Sequence, residues 1–338
     1  MRRTLFRSVW VALAIALAAA ACGSNAPSES TITLYSGRSQ DLIQPLLNDF
    51  TDQTGIRVEP RYGDSAELAL LLQAEGDKSP ADVVISQSPG ALGLLAGEGR
   101  LAVLATDITQ RVDPGFVASD NTWVGITGRV RVVVYNSELV SADQLPASVL
   151  DLVDPKYAGK VGVAPNNGSF QDFVTAMRNE LGDSETSRWL TGMADNESPN
   201  YPKNSAIVEA VGRGEIDMGL VNHYYNLRAL ENDPSVPSIN YFLPADDVGS
   251  LVIVTGGAVL ASSDSPDAAQ QLLVWLLSDA AQAEFAAQTQ EYPLVEGIDA
   301  PAGLPPLGGL AVDTIDYALL GDGLSGTIEL IRASGIER

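Results

Sequence analysis

A second cysteine is missing from this chain. Cys22 stands alone, so no internal disulfide can form and the fold must stand on its apolar core. Histidine is as scarce, with His223 the only one. That excludes His-rich zinc sites and a cysteine–histidine nucleophile pair. Basic charge is short too: the formal net charge is −23, which excludes nucleic acid as a partner and implies repulsion from anionic lipid surfaces. No Gly-x-Ser-x-Gly elbow, phosphate loop or dinucleotide glycine pattern occurs. A serine nucleophile with His223 as base stays conceivable on residue types alone, so a hydrolase is the rival from the enzyme class. No internal repeat is visible, and no low-complexity run beyond the N-terminal segment.

Long apolar runs are also rare. The one at residues 9–21 follows Arg2, Arg3 and Arg7 and ends in small residues before Cys22. This is the pattern of a secretory signal, too short and wrongly flanked for a good membrane span. A lone cysteine after small residues resembles the bacterial lipoprotein cleavage site, in which the cysteine becomes the lipidated first residue. Ala19 departs from that pattern, which more often has Leu, and ordinary signal cleavage is the alternative. Residues 1–22 are therefore expected to be a signal peptide with Cys22 as lipidation site, and the polar residues 23–30 a tether. The expected address is exported, anchored by lipid to the outer face of the cell membrane, or periplasmic. Cleavage removes three arginines and no acid, so the mature chain is more acidic still. The acidity suits general solubility, and attraction of a cation is compatible with it.

What remains is long enough for two domains, and 45% hydrophobic content supports a substantial core. Residues 31–35 read as a strand, and 40–54 as a helix carrying Leu42, Ile43, Leu46, Leu47 and Phe50, with Pro45 an awkward residue inside it. Gly55 stops that helix, 56–59 is a second strand, and Asp64 or Ser65 caps a second helix. Residues 83–86 form a buried strand and 91–97 a short helix. This β-α-β-α-β-α order predicts a doubly wound parallel sheet. Residues 123–135 form a long strand able to cross between two lobes, and 251–255 a candidate return crossing. Residues 162–164 and 216–221 read as strands of a second α/β unit. Ser265-Pro266-Asp267 starts one long helix through Leu272, Trp275 and Phe285.

The stretch with most chemistry is Asn222-His223-Tyr224-Tyr225, which follows the strand at 216–221. Tyr224 and Tyr225 are either an aromatic pair closing the core or two phenolates for a hard, highly charged cation, converging in a turn after the strand. Asn167-Gly168-Ser169 lies between a strand and a helix. It is either an ordinary cap or an anion site built from unpaired amides. Asn204 and Asn222 offer side-chain amides to an anion, or serve as turn and cap residues. Arg38, beside Ser39, sits at a strand carboxyl end, where α/β sheets bind ligands, or is a solvated surface arginine. Glu67, in the first turn of a helix, either complements the helix dipole or ligates a hard metal.

Several of these segments together resemble the ferric-ion-binding proteins of bacterial ABC importers. They are Tyr35-Ser36-Gly37-Arg38, Arg61-Tyr62-Gly63-Asp64-Ser65-Ala66-Glu67-Leu68, Ser79-Pro80-Ala81-Asp82-Val83, residues 165–170, Lys203-Asn204-Ser205 and Asn222-His223-Tyr224-Tyr225. They follow the family's order and spacing over nearly all of the mature chain. The resemblance implies an α/β, type II-like two-lobed periplasmic-binding-protein fold with doubly wound sheets joined by hinge crossings. The expected lobes are 31–126 plus 255–305, and 127–254 plus 306–338. It also implies Fe3+ as cargo, held by Tyr224, Tyr225 and, as in some members, Glu67. A synergistic anion, carbonate or phosphate, is expected at Asn167, Gly168, Ser169, Asn204 and Asn222. The chain departs from the family at Ser39, where many members place a histidine, and at Phe170, where others place a tyrosine. Arg38 and Ser39 are therefore expected to help an anion fill part of the coordination sphere. Delivery to an ABC transporter permease, no catalysis, membrane contact only through the lipid and a monomeric state are the remaining expectations. The rival within the same fold is a binding protein for an oxyanion or small polar organic solute, with the tyrosines lining an apolar wall.

Overall fold

The computed structural model describes residues 30–87, 89–244, 247–310 and 317–338; the expected signal peptide, Cys22 and nearly all of the expected tether lie outside the described residues. The first strand, β1 (Thr31–Ser36), pairs in parallel with both β2 (Arg57–Tyr62) and β3 (Val83–Ser86). The crossovers are α1 (Gln40–Thr54) and α2 (Ser65–Glu75). Helix α1 buries Leu42, Ile43, Leu46, Leu47 and Phe50, the stripe that its 3.6-residue period dictates. Pro45 lies on its exposed side, and the helix runs through it. Gly55 ends α1 at φ 74°, a left-handed cap whose N–H bonds the Thr51 carbonyl. Strand β3 is buried throughout, and α3 (Pro89–Gly97) follows it.

After a short α4 (Thr106–Thr109) comes β4 (Trp123–Asn136), with 14 residues the longest strand described. The second unit contains β5 (Val161–Gly162), α5 (Gly168–Leu181), α6 (Asp183–Asp195), α7 (Asn204–Gly212), β6 (Met218–Asn222), α8 (His223–Asn232) and β7 (Ser238–Tyr241). The chain returns through β8 (Val252–Val259), α9 (Pro266–Leu276), α10 (Asp279–Thr289), β9 (Tyr292–Pro293) and α11 (Tyr317–Ser334). The strand order is β2-β1-β3-β8-β4-β6-β5, with β7 and β9 also paired to β4. The first half of β4 pairs with β8 and β9, and the second half with β6 and β7. One strand thus belongs to both lobes, changing partners between Val130 and Arg131. This is the two-lobed periplasmic-binding-protein architecture.

The structure departs from the sequence reading in three places. The sheet is mixed, because β8 returns antiparallel to both β3 and β4. Strand β8 also runs straight through Gly256 and Gly257. A Cβ at Gly256 would stand 2.5 Å from Leu92 Cδ1, and one at Gly257 would stand 2.8 Å from both Ile126 and Leu273, so these glycines let side chains of α3, β4 and α9 close onto the sheet. The expected single helix after Ser265 is two, because Ser278 caps α10 by accepting from the Ala281 N–H.

Helix α11 packs against α3 of one lobe and against α5 and α6 of the other. On the second side Arg178 Nη1 donates to the Gly323 carbonyl at 2.6 Å, and the Thr175 and Thr327 hydroxyls meet at 2.7 Å. No helix among the described residues is long and apolar enough to cross a membrane.

Candidate metal and anion site

Tyr224 and Tyr225 occupy the first turn of α8, not a turn ahead of it. Helical backbone brings adjacent side chains to neighbouring directions, and the two rings stack with centroids 4.1 Å apart and planes 29° from parallel. Tyr224 is buried, while half-buried Tyr225 lines a cleft of about 740 Å3 between the lobes. Glu67, exposed on the first turn of α2, lines the same cleft, as do Asn167, Gly168 and Ser169 at the start of α5. The first turns of α2, α3, α5 and α8 all contribute to its wall. Helix N-termini carry unpaired N–H groups and the positive end of the dipole, so four of them on one cleft favour anions and phenolates.

The tyrosines are flanked by buried cationic groups. Arg38, read from the sequence as either an anion-binding or a solvated surface arginine, is 1% exposed, so the surface reading falls. Its Nη1 meets Glu291 Oε1 at 2.5 Å and Thr255 Oγ1 at 3.2 Å, while Nε and Nη2 have no partner among the described residues. Glu291 also accepts from the Thr127 hydroxyl at 2.5 Å. Burial pushes the Glu291 carboxyl up, but Arg38, Arg129 and the hydrogen bonds together hold it below its ordinary value. Arg129, on β4, lines the cleft and donates to the Gln87 and Val254 carbonyls, leaving Nε without a partner. The Tyr224 phenol is raised well above 10, first by burial, then by Tyr225 and Glu291, with Arg129 and Arg38 pulling the other way. Without a bound cation, Tyr224 therefore keeps its proton.

The expected anion residues form one hydrogen-bonded cluster. Asn167 caps α5: its Oδ1 accepts from the Ser169 N–H at 3.1 Å and the Ser169 hydroxyl at 2.6 Å. Asn204 Nδ2 donates to that same oxygen at 3.1 Å and to Ser169 Oγ at 3.3 Å. Asn222 is fully buried at the end of β6, and its Nδ2 has no partner among the described residues, nor does Asn204 Oδ1. Ser39 is not brought in. It is exposed at the start of α1, where its hydroxyl bonds Asp41.

Residue-type reasoning missed Arg129, Arg131 and Glu291. The signal for the arginines was there, since two charged residues interrupt the valines of a long buried strand. Glu291 has no local signature, because its partners lie far away in sequence. No group of three or more His, Cys, Asp or Glu able to hold a metal occurs among the described residues.

His223 is a packing residue. Its ring is fully buried, Nδ1 accepts from the Val130 N–H at 3.0 Å and Nε2 faces the Gln290 carbonyl at 2.8 Å. The pair of bonds fixes the neutral tautomer with the proton on Nε2. Burial lowers its pKa to about 4. A base depressed in the folded state contributes stability that is full above pH ~6.5 and is lost as pH falls toward 4. The ligand-free protein is expected to lose on the order of 3 kcal/mol through this group across that window. Melting curves of the parent and His223→Gln from pH 7 to 4 check this; equal pH slopes would contradict it.

The model of the bacterial extracellular solute-binding proteins matches residues 36–283. The major ferric iron-binding protein of Neisseria meningitidis serogroup B is 35% identical over 300 residues, covering 87% of this chain and 90% of that protein. This chain belongs to the ferric-binding branch of the bacterial extracellular solute-binding proteins. The family is one of transport-associated binding proteins, not enzymes, which disposes of the hydrolase. Two solved structures in this fold are also close. Iron-bound HitA from Pseudomonas aeruginosa is 35% identical with a TM-score of 0.86, covering 90% of this chain and 99% of that one. Trichodesmium IdiA (FutA), in complex with iron and citrate ligands, is 28% identical with a TM-score of 0.80 over 90% of this chain and 99% of that one.

Proposed function

We propose that this protein captures Fe3+ together with a small anion outside the cytoplasm and delivers it to an ABC transporter permease. The observation that carries the reading is the stacked Tyr224–Tyr225 pair at the cleft, at a helix N-terminus and beside buried guanidinium groups. Fe3+ is hard and prefers oxygen ligands. Its charge displaces the phenol protons, which bare helix ends and arginines alone do not do to Tyr224. Glu67 is the third protein oxygen. Two phenolates and one carboxylate leave positions open, and an anion fills them. Its donors are the cluster Asn167, Gly168, Ser169, Asn204 and Asn222, with Arg38 offering its unpartnered nitrogens. Carbonate and phosphate fit these donors, and citrate, present in the Trichodesmium complex, is the third anion to test.

Residues 31–126 plus 255–305 form one lobe and 127–254 plus 306–338 the other, closing about β4 and β8. Cys22 carries the lipid that holds the protein at the outer face of the membrane, and the protein acts as a monomer. The test is addition of ferric salt to purified protein with bicarbonate, phosphate, citrate or no anion. A saturable phenolate-to-iron charge-transfer band that strengthens with at least one anion is expected. Anion binding with no iron uptake and no band would transfer the protein to the oxyanion or polar-solute reading, for which the four helix ends alone suffice.

A further inference from the structure

Arg131 lies behind the anion cluster, and the proposed binding scheme gives it no role. It is fully buried on β4. Its guanidinium carbon stands 5.7 Å from the Phe170 ring centroid and 5.5 Å from that of Phe173. Nη2 donates to the Leu220 carbonyl at 3.2 Å, and Nη1 donates to Ser169 Oγ at 3.3 Å and to Asn222 Oδ1 at 3.4 Å. Burying a guanidinium costs several kcal/mol unless the site uses it. Burial lowers its pKa only to about 9, so it stays charged at neutral pH.

A guanidinium can donate and cannot accept. Whatever touches it must present an oxygen. The Asn222 carboxamide therefore turns its oxygen to Arg131, and its Nδ2 is forced to the opposite side, where it is buried with no partner among the described residues. Ser169 Oγ is likewise filled as an acceptor by Arg131 and Asn204, so its proton goes to Asn167 Oδ1. With three donors on Asn167 Oδ1, the Asn167 amide nitrogen is turned away from the cluster, and Asn167 lines the cleft. An unpartnered buried donor costs about 1–3 kcal/mol and calls for a ligand.

We infer that Arg131 is a positioning residue that sets the polarity of the anion cradle, locking the Asn222 and Asn167 amides so that they present N–H groups to an oxyanion. The inference rests on the anion-assisted reading above and assigns a residue which that reading leaves out. It also reassigns Ser169: its hydroxyl relays polarity within the cluster and does not donate to the anion.

The experiment measures iron affinity from the charge-transfer band, with and without saturating inorganic phosphate; the ratio is the anion increment. The variants are Arg131→Met, which fills the pocket between the two phenylalanines, Arg131→Lys, which keeps the buried charge but loses the fork, Asn222→Ala, and the Arg131→Met/Asn222→Ala pair. Each single change is expected to reduce the increment roughly tenfold, the scale on which residues behind a metal site act. The double variant is expected to lose clearly less than the product of the two single losses, because Arg131 acts partly through that amide, and its remaining effect runs through Ser169 and Asn167. A merely structural arginine would instead give losses that add within about twofold. Additive losses, or a parental increment in both Arg131 variants, overturn the inference. A parent with no phosphate increment overturns the anion reading itself and this inference with it, and that failure is visible before any substitution. If Arg131→Met does not fold, the Arg131→Lys/Asn222→Ala pair supplies the same cycle.

Discussion

Tyr225→Phe is expected to lower ferric-ion affinity by at least about 100-fold and to bleach or shift the iron band, and Tyr224→Phe is expected to do the same. Even residues outside a coordination sphere cost ~10–100-fold when changed, and each tyrosine would supply a ligand oxygen. Neither change should disturb the fold. The stacked rings survive in phenylalanine, so thermal stability is expected to change by no more than about 1 kcal/mol. This separation of binding from stability is what distinguishes a ligand pair from an aromatic pair that closes the core. Isothermal or spectroscopic titration of both variants beside their melting curves decides it. Parental iron binding by both would remove phenolate ligation, and with it the ferric reading.

Glu291→Ala is expected to produce the largest stability loss, about 3–5 kcal/mol, because it leaves Arg38 buried without its carboxylate. For a chain of this size that is on the order of 10 °C in Tm. Glu291 is held below its ordinary 4.5 in the folded protein. Its contribution is therefore full above pH ~4.5 and is lost as pH falls through the lower folded value. The window lies below that of His223, so the two separate on a pH–stability curve. The companion change Arg38→Met, which strands the carboxylate instead, should also destabilise, and Arg38→Met/Glu291→Leu should recover much of the loss. A Glu291→Ala protein that melts with the parent would show that the pair contributes nothing to the fold. Because Arg38 is tied into this pair, its substitution is expected to change both anion binding and stability, and the two must be measured side by side.

The sequence carried the fold where local rules decide structure. The stripe of Leu42, Ile43, Leu46, Leu47 and Phe50, the glycine stop at Gly55 and the valine-rich character of the crossing strand each express a short-range preference that the folded chain keeps. It misled where packing decides. Gly256 and Gly257 read as a strand end, yet the close approach of Leu92, Ile126 and Leu273 makes them strand interior. Ser278 lies within the stretch that reads as one helix, yet its hydroxyl starts a new one. At the site, the tyrosine pair and the Asn167-Gly168-Ser169 cap were legible because each is contiguous. The buried charges were not, since Arg38 and Glu291 are 253 positions apart and only the closed sheet brings them together.

Strand β4 gives up one partner set and takes another between Val130 and Arg131 without leaving the sheet. A protein built this way has no seam at which it can be cut. Expressing residues of one lobe alone would strip β8 of its long neighbour or leave β6 and β7 with no template, exposing unpaired edges that invite aggregation. The lobes are therefore not to be engineered as independent modules joined by a tether. Any swap of cargo specificity between relatives has to respect β4 as common property, exchanging loops and helix starts around the cleft and leaving the shared strand whole.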